Sequence, residues 1–335
     1  MTRGGTRQLR AMVAVGVAVA LLVAGIPTGG RAQGGGAVTV AVAPSVDMAL
    51  LIIAVKKGFL EKQGLRAQLK IFDSSPKAVE ALVAGQADIT ENTEPPHLAA
   101  RARGGKVVQV MTAYVSGQTN GSVINGATIK KPEDFVGKTV GVQRGSGANY
   151  HLVWFFEKNK IPADKVTVTY MAAPDQIAAL ARNDIQAFFS WEPFLTRAQE
   201  SVPNARILAR ATDDGLEFRG NVLMREDMAR NDRDTAIKVV KGLIETADWM
   251  SANNKEAAKV ANEVLRAPSE EEVAKQLQNF KWVGDFKKSA KEQELKIAEW
   301  GVGIGLFPTK DAKALVDAII YPDIIKAAAP NRTDM

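Results

Sequence analysis

Two stretches of this chain repeat one order of apolar patterns, and that repetition restricts the possible folds more than any other feature. In the first stretch, residues 38–42 alternate β-branched side chains as a strand does. Pro44, Ser45 and Asp47 supply a turn and a helix start, and residues 48–57 form an apolar helix that Gly58 closes. Residues 65–72 alternate as a second strand, 76–84 form a short helix stopped by Gly85, and 87–90 form a third strand. Strands separated by helices need crossover connections, so this order specifies a parallel sheet with helices on its faces. The second stretch repeats it, with strands at 138–143, 166–170 and 185–189 and helices at 150–159 and 175–182.

Local matches support a duplication. "FLEK" at 59–62 answers "FFEK" at 155–158, 96 residues on, and "EALVAGQADITENTEPP" at 80–96 answers "AALARNDIQAFFSWEPF" at 178–194, 98 residues on. Thr93-Glu94-Pro95 therefore falls on Trp191-Glu192-Pro193. The expected fold is α/β, with two similar lobes. From about residue 222 the periodicity becomes helical: 234–253, a "SEEE" capping box at 269–272, then 288–302, 310–318 and 322–329. These helices are expected to pack on the first lobe, and 215–224 is the return crossing. The lobes are expected at 38–122 plus 221–330 and at 123–220, with a tail at 331–335.

The first 32 residues stand apart from this frame. Arg3, Arg7 and Arg10 precede an uninterrupted apolar run, and a helix breaker and small residues follow. This is the three-part layout of a secretory signal, and the run is short for a membrane span. Cleavage after Ala32 would leave a glycine linker at 33–37. Removing Arg3, Arg7, Arg10 and Arg31 lowers the net charge from +6 to +2, so a nucleic-acid partner has little support. The chain has no cysteine, which excludes disulfides, thiol catalysis, cysteine-based metal sites and a lipid anchor at a lipobox. His97 and His151 lie in separate segments without metal-ligand spacing, and both are expected on helix surfaces. No catalytic residue, metal or cofactor is expected.

The candidate binding residues sit at strand ends, where open α/β sheets take ligands. Gly145-Ser146-Gly147 opens a helix and places free backbone N–H groups and the positive end of the helix dipole at one spot, with Ser146 and Asn149 adding side-chain donors. A carboxylate, sulfonate, phosphate or nitrate fits there. No lysine follows as in a P-loop, and Tyr150 occupies the third glycine position of a dinucleotide fingerprint. The plainer alternative is that Ser146 is only an N-cap. Trp191 offers a flat face, or is a core anchor; Glu192 faces a donor or cation on the ligand, or caps the next helix. Thr93 and Glu94 hold the matching place in the first lobe, and Ser45 and Asp47 lie at its first turn, where both are also plain helix caps.

"GFLEKQGL", "LVAGQADITENTEPP", "FVGKTVGVQRGSGANYHL" and "AFFSWEPF", behind an export signal, together resemble the periplasmic substrate-binding proteins of nitrate/sulfonate/taurine-type ABC importers, and also their thiamine-pyrimidine-precursor-binding relatives. The resemblance implies a type II periplasmic-binding fold with two lobes joined by a two-strand hinge. It implies closure on a small solute and delivery to a membrane permease and, through it, to the ATPase. Contact with the inner-membrane complex is then peripheral, and the protein is a monomer. A histidine often follows the small residues of the glycine-serine turn in relatives; here Asn149 holds that place. Two alternatives are a periplasmic sensor that presents its solute to a receptor, and an enzyme like the thiamine-pyrimidine synthase that shares the fold.

Overall fold

The computed structural model describes residues 36–335, so the expected signal segment lies outside the described residues. Eleven strands occur in chain order: β1 Ala37–Val42, β2 Arg66–Ile71, β3 Ile89–Asn92, β4 Val107–Ser116, β5 Asn120–Asn125, β6 Thr139–Val142, β7 Thr167–Tyr170, β8 Ala187–Trp191, β9 Ala205–Arg210, β10 Phe218–Arg225 and β11 Lys281–Asp285. They form two sheets, of order β11-β4-β10-β3-β1-β2 and β7-β6-β8-β5-β9. In the first, β1 runs parallel to β2 and β3, and β10 is antiparallel to β3 and β4. In the second, β6 runs parallel to β7 and β8, and β5 is antiparallel to β8 and β9. Each lobe therefore carries the three parallel strands the repeated sequence pattern calls for, and antiparallel strands beside them that it did not.

Crossover helices cover both faces, as the parallel strands demand. The expected helices appear within a few residues of their predicted ends, among them Gly147–Lys158, Ala173–Ala181 and Arg233–Ala252. Ser269 caps Glu270–Leu277 by accepting the Glu272 N–H at 3.1 Å. The C-terminal helices Arg233–Ala252, Lys288–Gly303 and Ala312–Ile319 bury Val240, Leu243, Ile297, Val316 and Ile319 in the same core as Val40, Ile53 and Val110 of the first lobe. The second lobe has separate cores on its two sheet faces, one around Phe135, Phe155 and Phe189 and one around Leu180, Phe188 and Leu195.

The chain crosses between the sheets twice, after β4 and before β10. The crossings touch: Thr212 N donates to Gly117 O at 2.9 Å, and a side chain on Gly117 would meet Leu216 O. β5 already begins at Asn120, and Phe218 already pairs with Ser116 in the first sheet. Sequence patterning passed over four strands, β4, β5, β9 and β11. β4 is buried along nearly its whole length, so it shows no alternation. β11 is a short edge strand between helices, paired only with β4.

Candidate functional site

The carboxyl ends of β1, β3, β6 and β8 carry the turns singled out above, and β10 is the surface on which those after β3 and β6 meet. Side chains at 218 and 220 project to one face of that strand, roughly 7 Å apart. Gly147, at the start of the helix after β6, packs on the Phe218 ring. At Gly220 the Tyr114 ring and the Glu91 carboxylate press against the bare backbone; a Cβ there would overlap Tyr114 Cε1 and lie 2.6 Å from Glu91 Oε1. The lobes also meet where Gly145 faces Leu306 and where the Tyr150 and Trp300 rings pack edge to face at 5.3 Å.

On the second-lobe side the site is a donor turn. Gly145 takes a left-handed φ of 73°, and a Cβ on it would lie 2.9 Å from Leu306, so two independent constraints select glycine. Ser146 is the N-cap: its hydroxyl accepts the Asn149 N–H at 3.2 Å and donates to Gln143 O at 2.8 Å. The Asn149 amide oxygen accepts the Gly145 N–H at 3.1 Å. The Ser146 hydroxyl is thus spent within the turn, contrary to the expectation that it donates to a ligand. What remains are the buried N–H groups of Gly147 and Ala148, which have no acceptor among the described residues. They point out of a twelve-residue helix whose dipole favours negative charge, by about 0.3–1 kcal/mol and up to about 2 when partly buried.

On the first-lobe side the wall is acidic. Ser45 donates to Asp47 Oδ1, and burial, the dominant cause, pushes the Asp47 carboxyl up. Glu91 on β3 is fully buried, and neither carboxylate oxygen has a hydrogen-bond partner. Burial, and then the charge of Asp47, holds it well above the ordinary range. Glu94 accepts the Arg219 N–H at 3.1 Å and the Gln293 amide at 2.9 Å through Oε1, while Oε2 is unpartnered. Burial and the charge of Glu294 push it up to about 8. Burial, then Glu91, Asp47 and Glu94 in that order, raises the Tyr114 hydroxyl well above its usual value. An unpaired buried carboxylate is costly, so burial here favours the neutral form of Glu91 over the charged one.

Behind this wall runs a polar network. His97 Nε2 lies 2.9 Å from Glu294 Oε1, which also accepts from Asn221 Nδ2 at 3.2 Å; Asn221 in turn accepts from Gln109 and Thr112. His97 is therefore a core residue, and so is His151, whose Nε2 lies 2.8 Å from Asp214. Both were expected on the surface; acids remote in sequence give each ring a buried partner. A cavity of about 410 Å³ adjoins the crossings between Tyr150, Trp154, Arg219, Gln293 and Lys296, and Glu91, Asp47 and Tyr114 do not line it.

The Trp191-Glu192 turn sits beside the first crossing, where Glu192 N donates to Thr119 O at 2.9 Å. Glu192 Oε2 accepts the Thr196 N–H at 3.1 Å, and Oε1 pairs with Arg210 at 2.6 Å. Its carboxylate is thus occupied inside its own lobe. Trp191 is half-buried, packed on the Phe135–Phe189 core and edge-on to Phe194 at 5.8 Å. Thr93 precedes its helix without a side-chain cap bond. Sequence reasoning missed Glu91 and Tyr114. The available signal was an acid directly after the apolar strand residues, in "ADITEN".

The chain matches the NMT1/THI5-like family over residues 45–257 and belongs to that family. The taurine-binding periplasmic protein of Escherichia coli (strain K12) is 29% identical over 156 residues, 47% of this chain and 48% of that one. A provisionally named aliphatic-sulfonates-binding protein of Bacillus subtilis (strain 168) is 24% identical over 219 residues, 64% of this chain and 66% of that one. The match thus spans just under two thirds of the length of that curated relative. Among solved structures, the periplasmic aliphatic sulphonate binding protein of E. coli superposes with a TM-score of 0.73 at 18% identity, over 85% of this chain and 92% of that one. These structures establish the fold as two mixed α/β lobes of the type II periplasmic-binding kind. A desulfurization enzyme shares it, with a TM-score of 0.67 at 16% identity over 88% of this chain and 99% of that one.

Proposed function

We propose that this protein is the solute-binding component of an ABC importer. It is exported by its N-terminal segment, works in the periplasm as a monomer, and hands a small solute to a membrane permease and its ATPase. The observation that carries this reading is the meeting of two lobes around buried polar groups without protein partners, Glu91 on one side and the Gly147 and Ala148 N–H groups on the other. Such groups are stable when a ligand completes them. The relatives' taurine and sulfonates mark the range of solutes to test.

In this reading, lobe I (38–122 plus 221–330) presents Ser45, Asp47, Thr93 and Glu94, and Glu91 and Tyr114 with them. Lobe II (123–220) presents Gly145, Ser146, Gly147, Asn149, Trp191 and Glu192. The turn at 145–149 takes the solute's acidic or electronegative end, and Trp191 packs against its body. Glu192 acts through Arg210, holding the Trp191 turn. Because a desulfurization enzyme shares the fold, turnover is kept as a control.

The test is native mass spectrometry of the mature protein, followed by thermal unfolding with sulfonates, nitrate and nitrogen heterocycles. A true solute at 100 times its dissociation constant stabilises by about 2.7 kcal/mol. Absence of both a co-purified solute and any shift overturns the reading; release of altered solute would replace it with an enzyme.

A further inference from the structure

We propose that Glu91, with Asp47 beside it and Tyr114 above it, is a subsite for a cationic organic group, so that the solute carries a protonated amine or amidine opposite its acidic end. The inference rests on the solute-binding reading above and narrows it. Among the described residues, Glu91 is the fully buried acid with neither oxygen bonded. The other buried acids are engaged: Glu94 by Arg219 N and Gln293, Glu294 by His97 and Asn221, and Asp214 by His151 and Lys158. Among the described residues, no lysine, arginine or histidine pairs with Glu91. The charged and titratable groups around it are Asp47 on the first turn, Tyr114 on β4 and Glu94 on the following helix.

Packing fixes the acid in this place. Gly220 has no side chain, which lets the Glu91 carboxylate and the Tyr114 ring lie against β10. The Phe280 and Trp282 rings, 4.7 and 5.5 Å from that of Tyr114, fix its position. Two residues along the same strand face, Phe218 carries the start of the donor helix. The two unsatisfied ends thus lie along one face of β10, the acid against Gly220 and the helix start against Phe218, and a solute with an acidic and a basic end would answer both. Among the described residues no group of acids is arranged to hold a metal ion, which favours an organic cation. A simple anion such as nitrate or an alkanesulfonate would satisfy the helix and leave Glu91 without a partner.

Binding of the cation ionises Glu91, and its proton leaves to the buffer. The test is calorimetry with matched pairs that differ in the amine: taurine against ethanesulfonate, β-alanine against propionate, and 4-aminopyrimidine against pyrimidine. The amine-bearing member of at least one pair is expected to bind, with heats that vary with the buffer's ionisation enthalpy. Its amine-free partner is expected to bind at least tenfold more weakly. Glu91→Gln, checked for folding by circular dichroism, should weaken binding at least tenfold; Asp47→Asn serves if that variant does not fold.

Equal binding of both members, or an unchanged affinity in the variant, overturns the cationic subsite and leaves the solute-binding reading standing. If no probe binds, the co-purified solute decides: one bearing a basic nitrogen supports the subsite, and one without it overturns the subsite. No solute and no binding overturns the parent reading instead.

Discussion

The two lobes share a strand order but handle their acids in opposite ways. Glu94 and Glu192 occupy matching positions of the repeat, each at the turn after a central strand. In the second lobe Glu192 has an arginine at 2.6 Å and a helix N–H at 3.1 Å. In the first, Glu94 has a backbone N–H and an amide but no ion-pair partner, and Asp47, Glu91 and Glu294 lie in the same region. The duplicated backbone frame fixes where a turn falls. The charge of the turn is set by what other elements bring to it: Arg210 from β9 in one lobe, Gln293 from a C-terminal helix in the other. Only the first lobe therefore stores carboxyl groups that resist ionisation.

That contrast predicts its largest effect in the pH dependence of stability. Glu94 titrates near 8 in the folded protein against an ordinary 4.5. Between those values the unfolded chain has released the proton that the folded protein retains, so stability falls as pH rises. The slope for one such group is on the order of 1 kcal/mol per pH unit. Asp47 and Glu91, also raised, act in the same direction. Denaturant unfolding of the empty protein from pH 5 to 8 should show the decline, and Glu94→Gln should flatten it. A flat profile in the parent protein would remove the difference between the lobes.

The next effect tests the packing that keeps the first-lobe acid in place. Gly220→Ala drives a methyl into the Tyr114 ring and toward Glu91 Oε1. Overpacking costs typically about 1–3 kcal/mol, and the rigid, ring-clamped Tyr114 places this site at about 3. Urea unfolding measures it; a loss below about 0.5 kcal/mol would mean that the acid and the ring move aside freely. Arg210→Ala, the counterpart in the second lobe, should cost about 1 kcal/mol, because the ion pair it breaks is partly exposed and solvent screens it.

The parallel units of both lobes were legible because their strands alternate and their helices keep a 3.6-residue period. The 107–116 strand was not, since burial on both faces erases alternation, and 281–285 was too short to stand out between helices. The site divides the same way. The 145–149 turn announces itself locally, through glycine, serine and a helix start. Glu91 does not: the strand was expected to end at Thr90, and the isolation of the next residue is created by Gly220 and Tyr114, both distant in sequence. His97 and His151 were misplaced for the same reason, because Glu294 and Asp214 reach them only in the folded chain.

The smallest effect is expected where the sequence pointed most directly. Glu192 stands in a conspicuous Trp-Glu-Pro turn at a strand end, and a cleft carboxylate there would hold a ligand cation. Its two oxygens, however, already meet Arg210 and Thr196 N. Glu192→Gln keeps one acceptor oxygen for the Thr196 N–H and loses the charge facing Arg210. The solute would sense this only through a small movement of Trp191. Affinity for the identified solute should change less than about threefold, or roughly 0.6 kcal/mol, while Glu91→Gln costs tenfold or more. Calorimetry on the two variants side by side measures the ratio. A tenfold loss at Glu192 with little change at Glu91 would move the cation-binding wall to the second lobe and reverse the comparison between them.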